Sequence, residues 1–369
     1  MSESRWDKGW ILEEIVSQFD LAPAQSIQSV GSGHINDSYQ VITDKGNVFL
    51  QRINHLVFRP VKELMRNMEQ LLELMHRSSD SNCPQLIRTR SGENMVYNES
   101  TDSYWRMTTF IPGVSMANTT DLNIAREAGK AIAVFHQKTK PLDPANFYPV
   151  IPDFHDMFWR YEQFYNACAE DVANRLMGVL PLVDWVESME DEMTALPTEV
   201  LQHRIPIQVV HNDTKLENIL FDEKQEVICL IDLDTVMPGT ILYDIGDALR
   251  TLPVNLPEDA ENVENLEISM AITRAFIEGY LTIQYDKLND YELKWLPFAA
   301  PYMTFIMGIR FLTDYLAGDV YYKTQKDKHN LFRARNQFTL VKKWLELQPE
   351  LKTFIQDHVT QNVKSTQQS

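Results

Sequence analysis

Cysteine is scarce here: Cys83, Cys168 and Cys229 are the three in a chain of 369 residues. They lie far apart, so no paired spacing suggests a zinc site, and the odd, sparse count fits a reducing compartment better than a disulfide scaffold. Basic charge is short as well. Lys and Arg number 34 against 52 Asp and Glu, for a formal net charge of −18. So acidic a surface repels phosphate backbones and anionic lipid, which argues against a general nucleic-acid or membrane-surface binder. No long apolar run occurs either. The most apolar stretch, Leu296 to Ile309, contains Pro297 and Pro301 and stops at Arg310. It is expected as a buried helix and its approach, too short to span a bilayer. The first residues, Met1-Ser2-Glu3-Ser4-Arg5-Trp6-Asp7, lack a basic start leading into an apolar segment. No secretory leader is expected, and the cytoplasm is the expected location.

What is present reads as an ordinary folded protein, 44% apolar and 23% charged, long enough for two lobes. Apolar spacing at Trp10, Ile11, Ile15 and Phe19 predicts a helix near residues 6–20. Strand-like runs follow at Ile27–Val30, Ser38–Thr43 and Val48–Ile53, the last two joined by the turn-forming Asp44-Lys45-Gly46-Asn47. A helix is expected over about Val61–Arg77, with shorter strands near Leu86–Thr89, Asn94–Tyr97 and Tyr104–Phe110. Ile111-Pro112-Gly113 can turn the chain between lobes. Beyond it the pattern is mostly helical, beginning with a helix capped by Asp121 that carries Ala125, Ala128, Ala131, Ile132 and Phe135 on its apolar side. The expectation is an α+β fold of two lobes: a small β-rich lobe over residues 1–112 and a larger α-helical lobe over 113–369.

Chemistry concentrates in Val209-Val210-His211-Asn212-Asp213-Thr214-Lys215-Leu216-Glu217-Asn218-Ile219-Leu220-Phe221-Asp222. Apolar pairs flank a loop that holds His, Asp, Lys and Asn. A second polar pair, Asp232 and Asp234, ends the apolar run Val227-Ile228-Cys229-Leu230-Ile231. Phosphoryl transfer needs a carboxylate near the acceptor hydroxyl, positive charge near the γ-phosphate, and hard oxygen ligands for magnesium. Asp213 can supply the first and Lys215 the second, while Asn218 and Asp232 offer a neutral and an anionic oxygen. His-x-Asp-x-x-x-x-Asn is also the spacing of the protein-kinase catalytic loop, and Asp-Leu-Asp follows where kinases carry Asp-Phe-Gly. The bland alternative is a solvated turn between two strands.

On HNDTKLENILFD, VICLIDLDTVMPG and YDIGDALR, the sequence resembles the aminoglycoside phosphotransferase and choline kinase family, the small-molecule branch of the protein-kinase-like fold. With RFLTDYLAGDVYYK added, it is most similar to the N-acetylhexosamine 1-kinase group, over about Val30 to Tyr322. The resemblance implies a bilobal kinase-like fold that uses ATP as co-substrate and Mg2+ as cofactor. It implies Asp213 as the catalytic aspartate, Asn218 and Asp232 as magnesium ligands, and His211 and Asp244 as supports of the catalytic loop. The implied partners are ATP and a small-molecule sugar acceptor, with no nucleic acid and no membrane. Kinases for choline, homoserine, methylthioribose or an aminoglycoside remain as rivals, and a nucleotide-binding pseudokinase stands behind them.

Weaker signals surround this core. Gly31 and Gly33 between two strands can let backbone approach the ATP phosphates, or can simply form a hairpin turn. The third-strand lysine of protein kinases is missing; Arg52 falls at the expected position, with Glu63 or Glu69 as its candidate partner. Thr109 and Ile111 bracket an expected hinge that would read adenine through backbone groups. His34 is either a substrate contact or an exposed loop histidine. Arg310 and Tyr321 either bind a sugar, through fixed donors and a flat apolar face, or form a helix end packed on tyrosines.

Overall fold

The computed structural model describes residues 6–30, 35–77 and 82–366, with side chains to residue 361. Gly31, Gly33 and His34 lie outside the described residues. The chain divides into two compact units.

The first unit comprises Met1–Gly113 with two later segments, Ala145–Pro152 and Ile231–Met237. Its sheet holds β1 (Ala24–Ser29), β2 (Asp37–Thr43), β3 (Gly46–Ile53), β4 (Val96–Asn98) and β5 (Ser103–Thr109), in the antiparallel order β1-β2-β3-β5-β4. Gly46 takes φ 121°, a left-handed value that closes the tight turn after Asp44-Lys45 and that a side chain would strain. Side chains alternate across the strands, so the register sorts them into two faces. Tyr39, Val41, Val48, Leu50, Trp105 and Met107 share the apolar face, and Ile11, Ile15, Val16 and Phe19 complete its core. The expected N-terminal helix is thus found over Lys8–Gln18, although Ile11–Ile15 is a π-helical turn. The Val61–Arg77 helix buries Leu64, Met65, Met68, Leu71, Leu72 and Met75 at helical spacing. From this helix the buried Asn67 donates to the Tyr148 and Val236 carbonyls (2.8 and 3.2 Å) and accepts from the Tyr148 amide (2.9 Å). One side chain thereby ties both later segments into the unit, a link the sequence pattern does not announce.

The second unit is helical. Asp121 caps the Leu122–Thr139 helix as expected, accepting from the Asn123 amide at 2.7 Å. That helix meets the Met270–Gln284 helix backbone to backbone. A Cβ on Gly129 would stand 2.1 Å from the Phe276 carbonyl oxygen, and one on Gly279 would stand 2.0 Å from that of Arg126. The close approach brings His136 beside Tyr280. The expectation for Leu296 to Ile309 needs correction: helical structure continues through both prolines, over Asp290–Leu316, which is long and apolar enough to cross a membrane. Its most apolar window is 83% buried inside the protein, where it serves as a core helix.

Candidate active site

Short strands frame the polar loop: β6 (Gln208–Val210) enters it, and β7 (Ile219–Phe221) leaves it to pair antiparallel with β8 (Val227–Leu230). Val209, Val210, Ile219 and Phe221 are buried, which anchors both loop ends. Asn212 turns the chain at φ 63°, a left-handed conformation that Asn tolerates better than most residues. The buried Asp244 carboxylate organises the turn. It accepts the His211 amide at 2.9 Å, the Asn212 amide at 2.6 Å and His136 Nε2 at 2.8 Å. Thr214 Oγ1 donates to the Asp244 carbonyl. Since a carboxylate only accepts, His136 donates to it from Nε2, and Nδ1 is hydrogen-bonded to the Tyr280 hydroxyl at 2.9 Å. Burial alone would raise the Asp244 carboxyl, but the hydrogen bond and charge of His136, with the contributions of His211, hold it below the ordinary range. The expected support role thus has a concrete geometry. His211 takes part through its amide, while its ring meets Phe135 edge-on at 5.7 Å.

Asp213 follows this fixed turn with its side chain 26% exposed. Asn218 Nδ2 donates both to the Asp213 carbonyl and to Oδ2, each at 2.8 Å, and Lys215 Nζ stands 3.5 Å from the same carboxylate oxygen. The structure therefore gathers Asp213, Lys215 and Asn218 as the sequence suggested. With its nitrogen facing Asp213, Asn218 is left with an amide oxygen that makes no hydrogen bond among the described residues, a hard donor suited to magnesium. Asp247, inside YDIGDALR but assigned no role from sequence, is buried beside Arg250 at 3.0 Å. Burial raises its carboxyl; Arg250 opposes the rise and the charge of Asp213 adds to it.

In the first unit, Asp232 sits at φ 60° immediately before a short helical turn over Leu233–Thr235. Its neighbour Asp234 is buried and ion-paired with the equally buried Arg106 of β5; Asp234 also accepts from Asn36 Nδ2 at 2.6 Å. Arg106 Nη2 in turn donates to Gln51 Oε1 at 2.7 Å. Sequence reasoning missed this cluster. The available signal was an arginine inside the apolar strand Tyr104-Trp105-Arg106-Met107 and a second aspartate in Ile231-Asp232-Leu233-Asp234.

Strand parity corrects the expectation for Arg52. The register pairs Arg52 with Trp105 and Asp37, on the face closed by the N-terminal helix, and pairs Gln51 with Arg106 and Ser38 on the opposite face, where Asp234 lies. Arg52 Nε binds Asp37 at 2.6 Å, and its guanidinium lies 5.5 Å from the Trp6 ring centre. Neither expected helix acid is its partner: Glu69 pairs with Arg88 instead, and Glu63 is half-buried on the helix. At the expected hinge, the Thr109 amide is already committed to the Gln85 carbonyl at 2.9 Å. The half-buried Ile111 makes no backbone hydrogen bond among the described residues.

A second polar cluster in the helical unit joins the catalytic loop through His155. A carbonyl only accepts, so His155 Nε2 donates to the Asn212 carbonyl, 3.2 Å away and adjacent to Asp213. Burial first, then the nearby Arg310, push His155 down to about 3, leaving the ring neutral. Arg310 lies over the rings of Phe154, Tyr322 and Tyr321 at 5.2, 5.6 and 5.9 Å. Among the described residues its only polar contact to a side chain is Nη1 to Met307 Sδ at 3.5 Å. Arg310 and Tyr321 are thus brought together as the sequence suggested. Asp314, one helical turn after Arg310, does not pair with it. It accepts the amides of Val320, Tyr321 and Tyr322 at 2.8–2.9 Å and holds that turn in place. His155 and Asp314 escaped sequence reasoning because their partners lie on backbone, and Arg160 because its neighbour Arg310 is distant along the chain.

With this geometry in hand, comparison with known proteins gives a consistent result. A family model described as the phosphotransferase enzyme family matches residues 26–286. Among solved structures, an aminoglycoside phosphotransferase from Alicyclobacillus acidocaldarius aligns at a TM-score of 0.64 and 15% identity, covering 98% of both chains. Spectinomycin phosphotransferase, solved with ADP and spectinomycin, gives 0.59 and 13% over 93% of this chain and 100% of its own. A microcompartment-associated aminopropanol kinase gives 0.58 and 14% over 92% and 98%. At such identities the likeness is one of fold. Human ethanolamine kinase 1 is 25% identical over 111 residues, which are 30% of this chain and 24% of that protein's length.

Proposed function

This chain belongs to the phosphotransferase enzyme family, and on that premise we propose that it transfers the γ-phosphoryl group of ATP to the anomeric hydroxyl of an N-acetylhexosamine, giving the sugar 1-phosphate. The observation that carries the acceptor class is Arg310, which has no carboxylate partner among the described residues and is ringed by Phe154, Tyr321 and Tyr322. An unpaired guanidinium repels an ammonium group, whereas it offers fixed donors to hydroxyl and acetamido oxygens while the rings pack on a sugar face. Ethanolamine and aminopropanol, acted on by the relatives' names, are cations at neutral pH.

In this reading Asp213 orients the acceptor hydroxyl and takes its proton late, in a loose transition state. Asn218 fixes the rotamer of that carboxylate, and the Asp244 network fixes the loop beneath it. Lys215 offsets phosphate charge. Magnesium would neutralise charge on the phosphate oxygens, and the open amide oxygen of Asn218 is a donor that would help hold it. A rival reading, with an amine acceptor, draws on the acidic balance of 52 Asp and Glu over 34 Lys and Arg. The test is ADP release from magnesium–ATP with N-acetylglucosamine and N-acetylgalactosamine beside choline, ethanolamine, homoserine and kanamycin, with phosphorus NMR on each product. A sugar 1-phosphate resonance is expected. Turnover confined to amine-bearing acceptors would overturn the sugar assignment and leave the catalytic loop standing.

A further inference from the structure

Arg310 is not alone in lacking a counter-ion. Arg160, on the Met157–Glu170 helix, spends Nη1 on Gln163 Oε1 and Nη2 on the Phe154 carbonyl, both at 2.7 Å. Its Nε is buried without a hydrogen-bond partner, and no carboxylate among the described residues pairs with it. Phe154 links the two arginines, since its carbonyl receives Arg160 and its ring lies under Arg310. Tyr322 adds a buried hydroxyl that also lacks a hydrogen-bond partner among the described residues. The carboxylates nearest in sequence are committed elsewhere: Asp156 caps its own helix through the Trp159 amide, and Asp314 accepts three backbone amides. Asp153 is exposed and acts on Arg160 less than burial and Arg310 do. The repulsion is felt: burial first, then Arg310, lower Arg160 to about 10.

Two guanidiniums held around one phenylalanine, with no carboxylate among the described residues ion-paired to either in a chain that has an excess of acids, form a site short of one anion. Guanidinium forks and a tyrosine hydroxyl are matched to oxyanion geometry. We propose that Arg160, Arg310 and Tyr322 form an oxyanion subsite within the acceptor pocket, able to hold a carboxylate, sulfate or phosphate group. The proposal rests on the assignment of Arg310 to the acceptor. The group can come from two sources: a charged substituent on the sugar, remote from the reacting hydroxyl, or a free inorganic oxyanion.

Thermal melting of the full-length protein separates the cases without requiring turnover. Sodium sulfate at tenfold its dissociation constant, compared with sodium chloride at equal ionic strength, is expected to raise the melting temperature by about 2 °C. The same shift, each protein read against its own chloride baseline, is expected to vanish in Arg310→Gln and in Arg160→Gln. Should Arg160→Gln fail to fold, Arg310→Gln decides, since that side chain is only half-buried. N-acetylglucosamine 6-sulfate acting at tenfold or more lower concentration than both inorganic sulfate and the uncharged sugar identifies a substituent on the acceptor. Equal potency of inorganic sulfate and the sulfated sugar identifies a free oxyanion. No sulfate-specific shift, or the same shift in Arg310→Gln, overturns the subsite. A sulfate shift that depends on the arginines, with no sugar phosphorylated, keeps the subsite and removes the hexosamine reading.

Discussion

The Asp213 loop and the arginine cluster, joined through His155, are neighbours that treat charge in opposite ways. In the loop, Asp213 is bound by Asn218 and Lys215, Asp244 receives two amides and a histidine, and Asp247 faces Arg250. In the arginine cluster, Arg160 and Arg310 have aromatic rings and neutral acceptors but no carboxylate partner among the described residues. Satisfied charges preorganise a machine before substrate arrives, so no reorganisation is required at the moment of reaction. Unsatisfied charges leave a demand that a ligand can meet. On the proposed function, the difference separates the residues that would perform the step from those that would select what undergoes it.

The largest expected effect lies in the loop. Asp213→Asn should lower kcat by about 10²–10⁴-fold while the nucleotide-induced melting shift is retained; near-full activity in that variant would remove Asp213 from its role. Next, Asp244→Ala strips the acceptor from two buried amides and from His136, and should cost about 3–5 kcal/mol of stability in a urea melt. A loss below 1 kcal/mol would mean that the loop does not depend on this carboxylate.

His155 joins the two regions and gives the comparison a pH dependence. Unfolded, its imidazole takes a proton near pH ~6.5, whereas in the folded chain it does so only at about 3. The unfolded state therefore binds more protons in that window, and stability falls as pH falls through it. Between pH 7.5 and 4.5 the histidine should account for roughly 2–3 kcal/mol of lost stability. His155→Gln should flatten the difference between urea melts at those two values, and an unchanged slope would contradict the buried, neutral ring.

The smallest effect belongs to Arg52. Its pair with Asp37 is partly exposed, and its side chain lies on the face closed by the N-terminal helix. Arg52→Gln should change stability by less than about 1 kcal/mol and leave KM for ATP within about twofold of wild type, as expected of a side chain engaged by Asp37 and the Trp6 ring. A rise in KM for ATP on the scale expected of a phosphate-binding arginine would restore the original sequence reading.

How much of this was legible in the sequence follows from how far apart the interacting residues lie. His211 to Asn218 occupy one continuous loop, so type and spacing announced the chemistry before any fold was known. The Asp121 cap and the buried Ile11, Ile15 and Phe19 were equally local signals. Arg52 was misread because parity in a strand is decided by pairing, and a one-residue error exchanges the faces. Gln51, not Arg52, shares a face with Arg106. The Arg106–Asp234 pair and the Arg160–Phe154–Arg310 cluster join segments that only tertiary packing brings together. Asp314 was hidden differently: it stands at helical spacing from Arg310, yet it serves three backbone amides, and Arg310 has no carboxylate partner among the described residues.

The central claim is that an unpaired arginine beside the loop selects an uncharged or anionic acceptor over a cation. The direct measurement is the ratio of kcat/KM for N-acetylglucosamine to that for ethanolamine, in wild type and in Arg310→Gln. The account predicts a ratio far above one in wild type and a fall of about 10- to 100-fold in the variant, the loss of a charged hydrogen bond to the sugar. Preference for ethanolamine in wild type, or a ratio that Arg310→Gln leaves unchanged, would contradict it.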